Sequence, residues 1–325
     1  MQLESALDKQ ARSFSQAVDT FVQKRPALET VIKPFGAVLN KRATLVEDIK
    51  ELLAPLPIDH DQERLSAGIP VLADLSTVAL SRPLQKAATG LLPVLRHAFP
   101  NLEVDFAAIE TSMKQGGYDP GRLGKAYMEG NPEDFQAAMR GSGGASPGTL
   151  GFVVHWALST VLSAARVQWA ESGWEVYWSK GYCPFCGSLP ALGSLSRPER
   201  PAGETLSDSG GKRYLHCAWC GHQWRYARHR CPACDTHEKD DLLYYQAPEE
   251  PAERIDACRK CGHYLLCIDL RQCDPPACMD LAAVGMVHLD LLAQDKGYSP
   301  MTRTPWNRLD ACPPASGGAF ARDLS

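Results

Sequence analysis

Two textures of hydrophobic patterning divide this chain. Through residues 1–168, apolar positions recur at helical spacing in stretches such as "ALDKQARSFSQAVDTFVQKR", "ATLVEDIKELLAPL", "LQKAATGLLPVLRHAF" and "PEDFQAAMRG". Pro and Gly fall mostly between these stretches, where helix stop signals belong. No period of about 20–50 residues repeats, which argues against a solenoid and for an irregular helical bundle. From about residue 174 the helical periods vanish and short runs of β type take over: "RYLHC", "HQWRYA", "LLYYQ" and "YLLCIDL". The polar stretch "SRPERPAGETLSDSGGK" (196–212) reads as an exposed loop. One helix returns in "DLAAVGMVHLDLLAQDKGY" (280–298), and the tail, 309–325, has no periodicity and is expected to be disordered. The predicted class is α+β. A helical domain (1–168) is followed by tandem small β modules (169–275) and a C-terminal helix packing back on them (276–308).

The most apolar run, "GTLGFVVHWALSTVLSAARVQWA" (148–170), is interrupted by Thr149, His155, Ser159, Thr160 and Ser163 and closes near Arg166. A membrane span wants about 20 predominantly apolar residues, so this run predicts a buried core helix. Just before it, "GASPG" (144–148) has the G-x-S-x-G form of a hydrolase nucleophile turn. Pro147 follows the serine and has no N–H for the oxyanion hole that motif needs. Ser146 as N-cap, with Pro147 at the first helical position, explains the same residues. No other catalytic motif is present, and an enzyme is not indicated.

With 325 residues the chain has room for about two domains. Apolar residues make up 44% of it, enough for a sizeable core. The start, "MQLESALDKQARSFSQ", lacks the basic and then apolar run of an export signal, which predicts a cytoplasmic protein. Reducing cytosol makes a disulfide framework the poorer explanation of the cysteines.

Eight of the twelve cysteines form four Cys-x-x-Cys pairs: Cys183 and Cys186, Cys217 and Cys220, Cys231 and Cys234, Cys258 and Cys261. Such a pair offers two thiolates from one tight turn. A residue tolerating positive φ just after the second Cys lets the backbone curl around a metal. Gly187, Gly221, Gly262 and Asp235 occupy that position. Taken in sequence order, the first two pairs and the last two pairs each leave room for a hairpin between them and close a tetrahedral site of the zinc-ribbon or rubredoxin kind. Interleaving the first pair with the third and the second with the fourth is the alternative. Small β units with little core need such a staple, and a structural zinc contributes about 10–16 kcal/mol in finger peptides. Four thiolates suit zinc and iron alike. Redox pairs sit at helix N-termini, whereas these are followed by turns and strands, so thiol–disulfide chemistry is the weaker reading. Cys267 lies in an apolar run, Cys273 and Cys278 flank "DPPA", and Cys312 is in the tail. These four fall outside the pattern.

Nucleic-acid binding is the rival class. "WRYARHR" (224–230) sets Arg225, Arg228 and Arg230 beside aromatics. Across 181–275, however, twelve Lys and Arg face thirteen Asp and Glu, and the whole chain carries a net charge of −4. That is no basic stripe, and the three arginines better suit a solvated edge or contact with an acidic protein partner.

"YCPFCGSLP", "RYLHCAWCGHQW", "CPAC", "CRKCGHYL" and a helix opening "DLAA" and closing "GYSP" follow in order over about 170–305. This set resembles the FdhE family of formate dehydrogenase accessory proteins. The resemblance implies a helical part joined to a rubredoxin-like part with two four-Cys sites, holding two metal ions per chain, iron or zinc. It makes Cys183, Cys186, Cys217 and Cys220 one ligand set and Cys231, Cys234, Cys258 and Cys261 the other. It also implies a cytoplasmic accessory factor that binds the catalytic subunit of formate dehydrogenase before export or assembly; our own reading is that it acts by recognition, with Arg225, Arg228 and Arg230 in its docking surface. The cysteines and "CDPPAC" at 267–278, and the Pro/Gly-rich end, depart from the family pattern. The two sites are structural or, in a second reading, redox-active, since a four-Cys iron near solvent can take an electron; a zinc-ribbon nucleic-acid-binding or transcription/translation factor is the alternative function.

Overall fold

The computed structural model describes residues 6–53, 62–75, 77–130, 132–141, 143–170, 178–197, 211–276 and 278–307. Most of the loop read at 196–212, the tail at 309–325 and Cys312 lie outside these residues. The described chain forms two compact units, residues 6–53 with 71–170, and residues 62–70 with 178–307.

The first unit is helical. In chain order the helices are α1 (Ala6–Lys24), α2 (Glu29–Lys50), α3 (Gln62–Ser66, part of the second unit), α4 (Ser81–Ala98), α5 (Glu103–Gln115), α6 (Pro120–Glu129), α7 (Pro132–Ala138) and α8 (Pro147–Ala170). Helices α2, α4 and α8 pack on one another. Their shared core contains Ile32, Val38, Leu91, Leu95, Leu158 and Val161, all fully buried. An edge-to-face aromatic cluster of Phe35, Phe99, Phe152 and Trp156 closes one part of it. Not every proline stops a helix here: Pro34 lies inside α2 and Pro93 inside α4.

Helix α8 is apolar nearly all round because it is covered nearly all round. It is long and apolar enough to cross a membrane, yet 83% of its most apolar window is buried within the fold. Its buried hydroxyls are hydrogen-bonded within the helix or to a neighbouring one. The Thr160 hydroxyl donates to the Trp156 carbonyl at 2.8 Å, and the buried Arg42 guanidinium donates to Ser163 Oγ at 2.5 Å. Ser146 is the N-cap, accepting from the Thr149 N–H at 3.3 Å. Its hydroxyl donates to Asp105 Oδ2 at 2.6 Å, which fixes the cap against α5.

The second unit is built on one sheet of seven strands: β1 (Pro190–Leu195), β2 (Arg213–Cys217), β3 (Gln223–Tyr226), β4 (Leu242–Gln246), β5 (Glu253–Cys258), β6 (His263–Asp269) and β7 (Ser299–Pro300). The spatial order is β3-β2-β1-β6-β5-β4, with β7 beside β6. Two antiparallel triplets, β1-β2-β3 and β4-β5-β6, are joined by parallel pairing of β1 with β6, Leu192 opposite Leu266 through Leu195 opposite Asp269. The expected β modules are therefore fused edge to edge.

Strands β1 and β5 were invisible to pattern. "PALGSL" has no alternation and carries Gly193 and Ser194, while "ERIDAC" sets its buried Ile255 between the charged Arg254 and Asp256. The single helix read at 280–298 is two, α9 (Met279–Gly285) and α10 (Val287–Asp295), separated at Met286, whose ψ of 13° leaves the helical range. Helix α9 packs against β1, and α10 against β5, β6 and β7.

Candidate metal centres

Each Cys-x-x-Cys pair forms the same turn, and its backbone bonding shows why. The Cys183 N–H donates to the Ser188 carbonyl at 2.8 Å and the Gly187 N–H returns to the Cys183 carbonyl at 2.9 Å. Cys231 does the same with Thr236 and Asp235, at 2.9 Å each. To close this ring the residue after the second Cys must enter the left-handed region. Gly187, Gly221 and Gly262 have φ of 75°, 70° and 70°, and Asp235, the lone non-glycine residue with positive φ among the described residues, has 63°. The curled turn aims both sulfurs the same way.

The sheet then brings the turns together in sequence order. Cys183, Cys186, Cys217 and Cys220 form one group, and Cys231, Cys234, Cys258 and Cys261 the other, with all sulfurs of a group within 4.8 Å of one another. The hairpin β1-β2 separates the turns of the first group, and the hairpin β4-β5 those of the second. Contacts are 3.6 Å (Cys183 to Cys220) and 3.4 Å (Cys186 to Cys217) in the first, and 3.7 Å for both Cys231 to Cys261 and Cys234 to Cys258 in the second. A disulfide would need about 2.05 Å. Four sulfurs at about 2.3 Å from a tetrahedral ion would be about 3.8 Å apart, so both groups fit one metal ion each.

Thiols alone do not sit comfortably here. Burial pushes the Cys183 and Cys220 thiols well above their ordinary range. Burial acts on Cys217 as well, but hydrogen bonds from the sulfurs of Cys183, Cys186 and Cys220 outweigh it and hold Cys217 well below. A cation removes that conflict by making all four thiolates favourable. Backbone N–H groups also face the sulfurs, as Trp219 does toward Cys217 Sγ at 3.4 Å.

Residues the sequence did not single out hold the two groups in place. Arg213, 4% exposed, reaches from β2 to Asp256 on β5 at 3.0 Å and donates to the carbonyl of Arg230 at 3.1 Å. Tyr226 on β3 donates to the Cys231 carbonyl at 3.2 Å, tying the first triplet to the second group. The buried His216 pairs with Asp280 of α9 at 2.8 Å. The segment 62–70, which reads as part of the helical domain, contributes the Gly68 carbonyl that accepts from Tyr182 Oη at 2.7 Å beside the first turn. No sequence signal marks these residues: apart from Tyr226, whose partner is five residues on, they work through partners far along the chain.

Of the arginines read as a docking surface, Arg225 lies exposed on the outermost strand β3 and Arg228 is exposed in the turn after it. Arg230 is partly covered, with Nε 3.4 Å from Asp235. Cys267 is fully buried in β6, as its apolar run predicted, and Cys273 donates to the Asp269 carbonyl at 3.6 Å. Neither Cys267, Cys273 nor Cys278 belongs to a metal-ligating group among the described residues.

Fold and donor sets together define a helical protein carrying tandem zinc-ribbon-like four-Cys modules. No family model matches the chain. It is 26% identical over 283 residues to an FdhE homologue of Aquifex aeolicus, covering 86% of this chain and 89% of that one. It is 24% identical to an FdhE homologue of Citrobacter koseri over 84% of this chain and 82% of that one. The crystal structure of the FdhE protein from Pseudomonas aeruginosa shares the fold, with a TM-score of 0.60 at 22% identity, covering 96% of this chain and 99% of that one. The chain is thus similar to FdhE proteins in sequence along most of its length and in fold.

Proposed function

We propose that this chain is an accessory factor for formate dehydrogenase biogenesis, acting in the cytoplasm by binding the catalytic subunit before export or assembly. The observation that carries the reading is similarity to FdhE homologues along most of both chains, not over the cysteine region alone. Two metal ions, iron or zinc, held by the two four-Cys groups keep the fused sheet rigid. Arg225, Arg228 and Arg230 at its β3 end meet an acidic surface of the client. The chain works by recognition and not by catalysis. In support, the one hydrolase-like motif, at Ser146, is engaged as a helix cap and is followed by a proline that offers no oxyanion N–H.

The test is an anaerobic affinity pull-down of the tagged protein from its own cells, with mass spectrometry of the bound proteins and zinc and iron analysis of the eluate. Recovery of a formate dehydrogenase catalytic subunit, reduced when the three arginines are changed to Ala, supports the reading. Recovery of ribosomes, polymerase or nucleic acid, with affinity falling steeply as salt rises, would sink it in favour of a nucleic-acid module.

A further inference from the structure

The two four-Cys groups are equivalent in donors and differ in cover. All four cysteines of the first are buried, at 0–2% exposure. In the second, Cys231 and Cys258 are buried at 2% each, but Cys234 and Cys261 are part-exposed. The residues inside the turns follow the same division. The first group's turns carry Pro184 and Phe185, then Ala218 and Trp219, of which Pro184, Phe185 and Ala218 are buried. The second group's carry Pro232 and Ala233, then Arg259 and Lys260, and the last two are exposed. Aromatic and aliphatic residues seal one site. At the other, Pro232 is buried and Ala233 half-buried, but the second turn carries the exposed, charged Arg259 and Lys260.

We propose that the second group is an exchange site, open through Cys234 and Cys261 to soluble ligands and thiols, while the first is a closed structural site. The proposal rests on the reading of both groups as metal centres and is independent of the client. In the exchange, donor atoms of an incoming chelator bond to the cation as the bonds from Cys261 and Cys234 break. Each freed thiolate takes a proton from solvent, and no electron moves. Cys231 and Cys258, both buried, let go last. The first group offers no sulfur to an incoming ligand until its strands open, so its exchange is limited by local unfolding.

The experiment uses the full chain loaded anaerobically with two equivalents of zinc. Release to excess 4-(2-pyridylazo)resorcinol is followed by absorbance, and a short N-ethylmaleimide pulse is read by peptide mass spectrometry. One equivalent is expected to leave at least about tenfold faster than the other, with label appearing at Cys234 and Cys261 before any other ligand. A Cys234→Ser, Cys261→Ser variant should hold one equivalent and lack the fast phase. If that variant does not fold, the labelling order in the natural chain decides. Release of both equivalents at one rate, first labelling at Cys183, Cys186, Cys217 or Cys220, or no release before denaturation would overturn the proposal. Because no formate dehydrogenase is present, failure here leaves the client reading standing.

Discussion

Asp290 of α10 is 2% exposed, and its environment is made for a neutral carboxyl. Oδ1 accepts from Tyr264 Oη of β6 at 2.6 Å, and that same hydroxyl accepts from Gln294 Nε2 at 3.1 Å. Oδ2 is buried with no partner among the described residues. Burial, only partly opposed by the Tyr264 hydrogen bond, pushes the carboxyl from 3.8 up to about 7. A carboxyl whose pKa rises on folding stabilises the fold fully below its unfolded value and loses that contribution as pH climbs through its folded value. The whole loss is about 4 kcal/mol, of which roughly 2–3 kcal/mol falls between pH 5 and pH 8. Asp290→Asn keeps the shape and the acceptor for Tyr264 but cannot ionise. Urea unfolding of the metal-loaded natural chain and of the variant, from pH 5 to pH 8, isolates this contribution, because the pH dependence of the thiolates is common to both. The natural chain should lose stability relative to the variant as pH rises. Parallel curves, or a loss relative to the variant as pH falls, would refute the reasoning.

Two further outcomes follow from the sheet. Arg213→Met removes a buried cation from Asp256 and from the carbonyls it serves, at an expected cost of about 3 kcal/mol. Because the two share one interaction, Arg213→Met with Asp256→Leu should cost less than the sum of the single changes in denaturant unfolding. Gly262 and Gly181 separate two backbone effects. A Cβ at Gly262 meets nothing within 4 Å, so Gly262→Ala should lose only the about 1–2 kcal/mol of left-handed strain. A Cβ at Gly181 would lie 2.0 Å from the Pro232 carbonyl oxygen, so Gly181→Ala should lower the melting temperature further and reduce bound metal. Equal shifts for the two would count against the close approach of these two backbone segments.

Legibility in the sequence tracked how local each feature is. The four turns could be read because a Cys-x-x-Cys followed by Gly or Asp needs only five consecutive residues to define its geometry, and the left-handed φ at Gly187, Gly221, Gly262 and Asp235 agrees. The cap at Ser146 and the buried character of α8 are legible for the same reason; of the hairpins, the spacing of the Cys pairs gives only the room, since β1 and β5 carry no pattern of their own. The sequence therefore determined the kinds of element, the donor atoms and the turns that aim them. Which pairs share an ion was left between two arrangements, and the tertiary structure chose the sequence-order one.

It also decided everything that depends on contacts far apart in the chain. The parallel joining of β1 to β6 links residues about 74 positions apart, from Leu192 to Leu266. Neither strand advertises it, because parallel pairing leaves no turn signal between its members. The capture of 62–70 by the metal-bearing unit, the reach of Arg213 to Asp256 and the unequal cover of the two four-Cys groups belong to the same class. Periodicity reports which face of a segment is apolar. What that face meets, and how much solvent is left at Cys234 and Cys261, is settled only when distant segments pack.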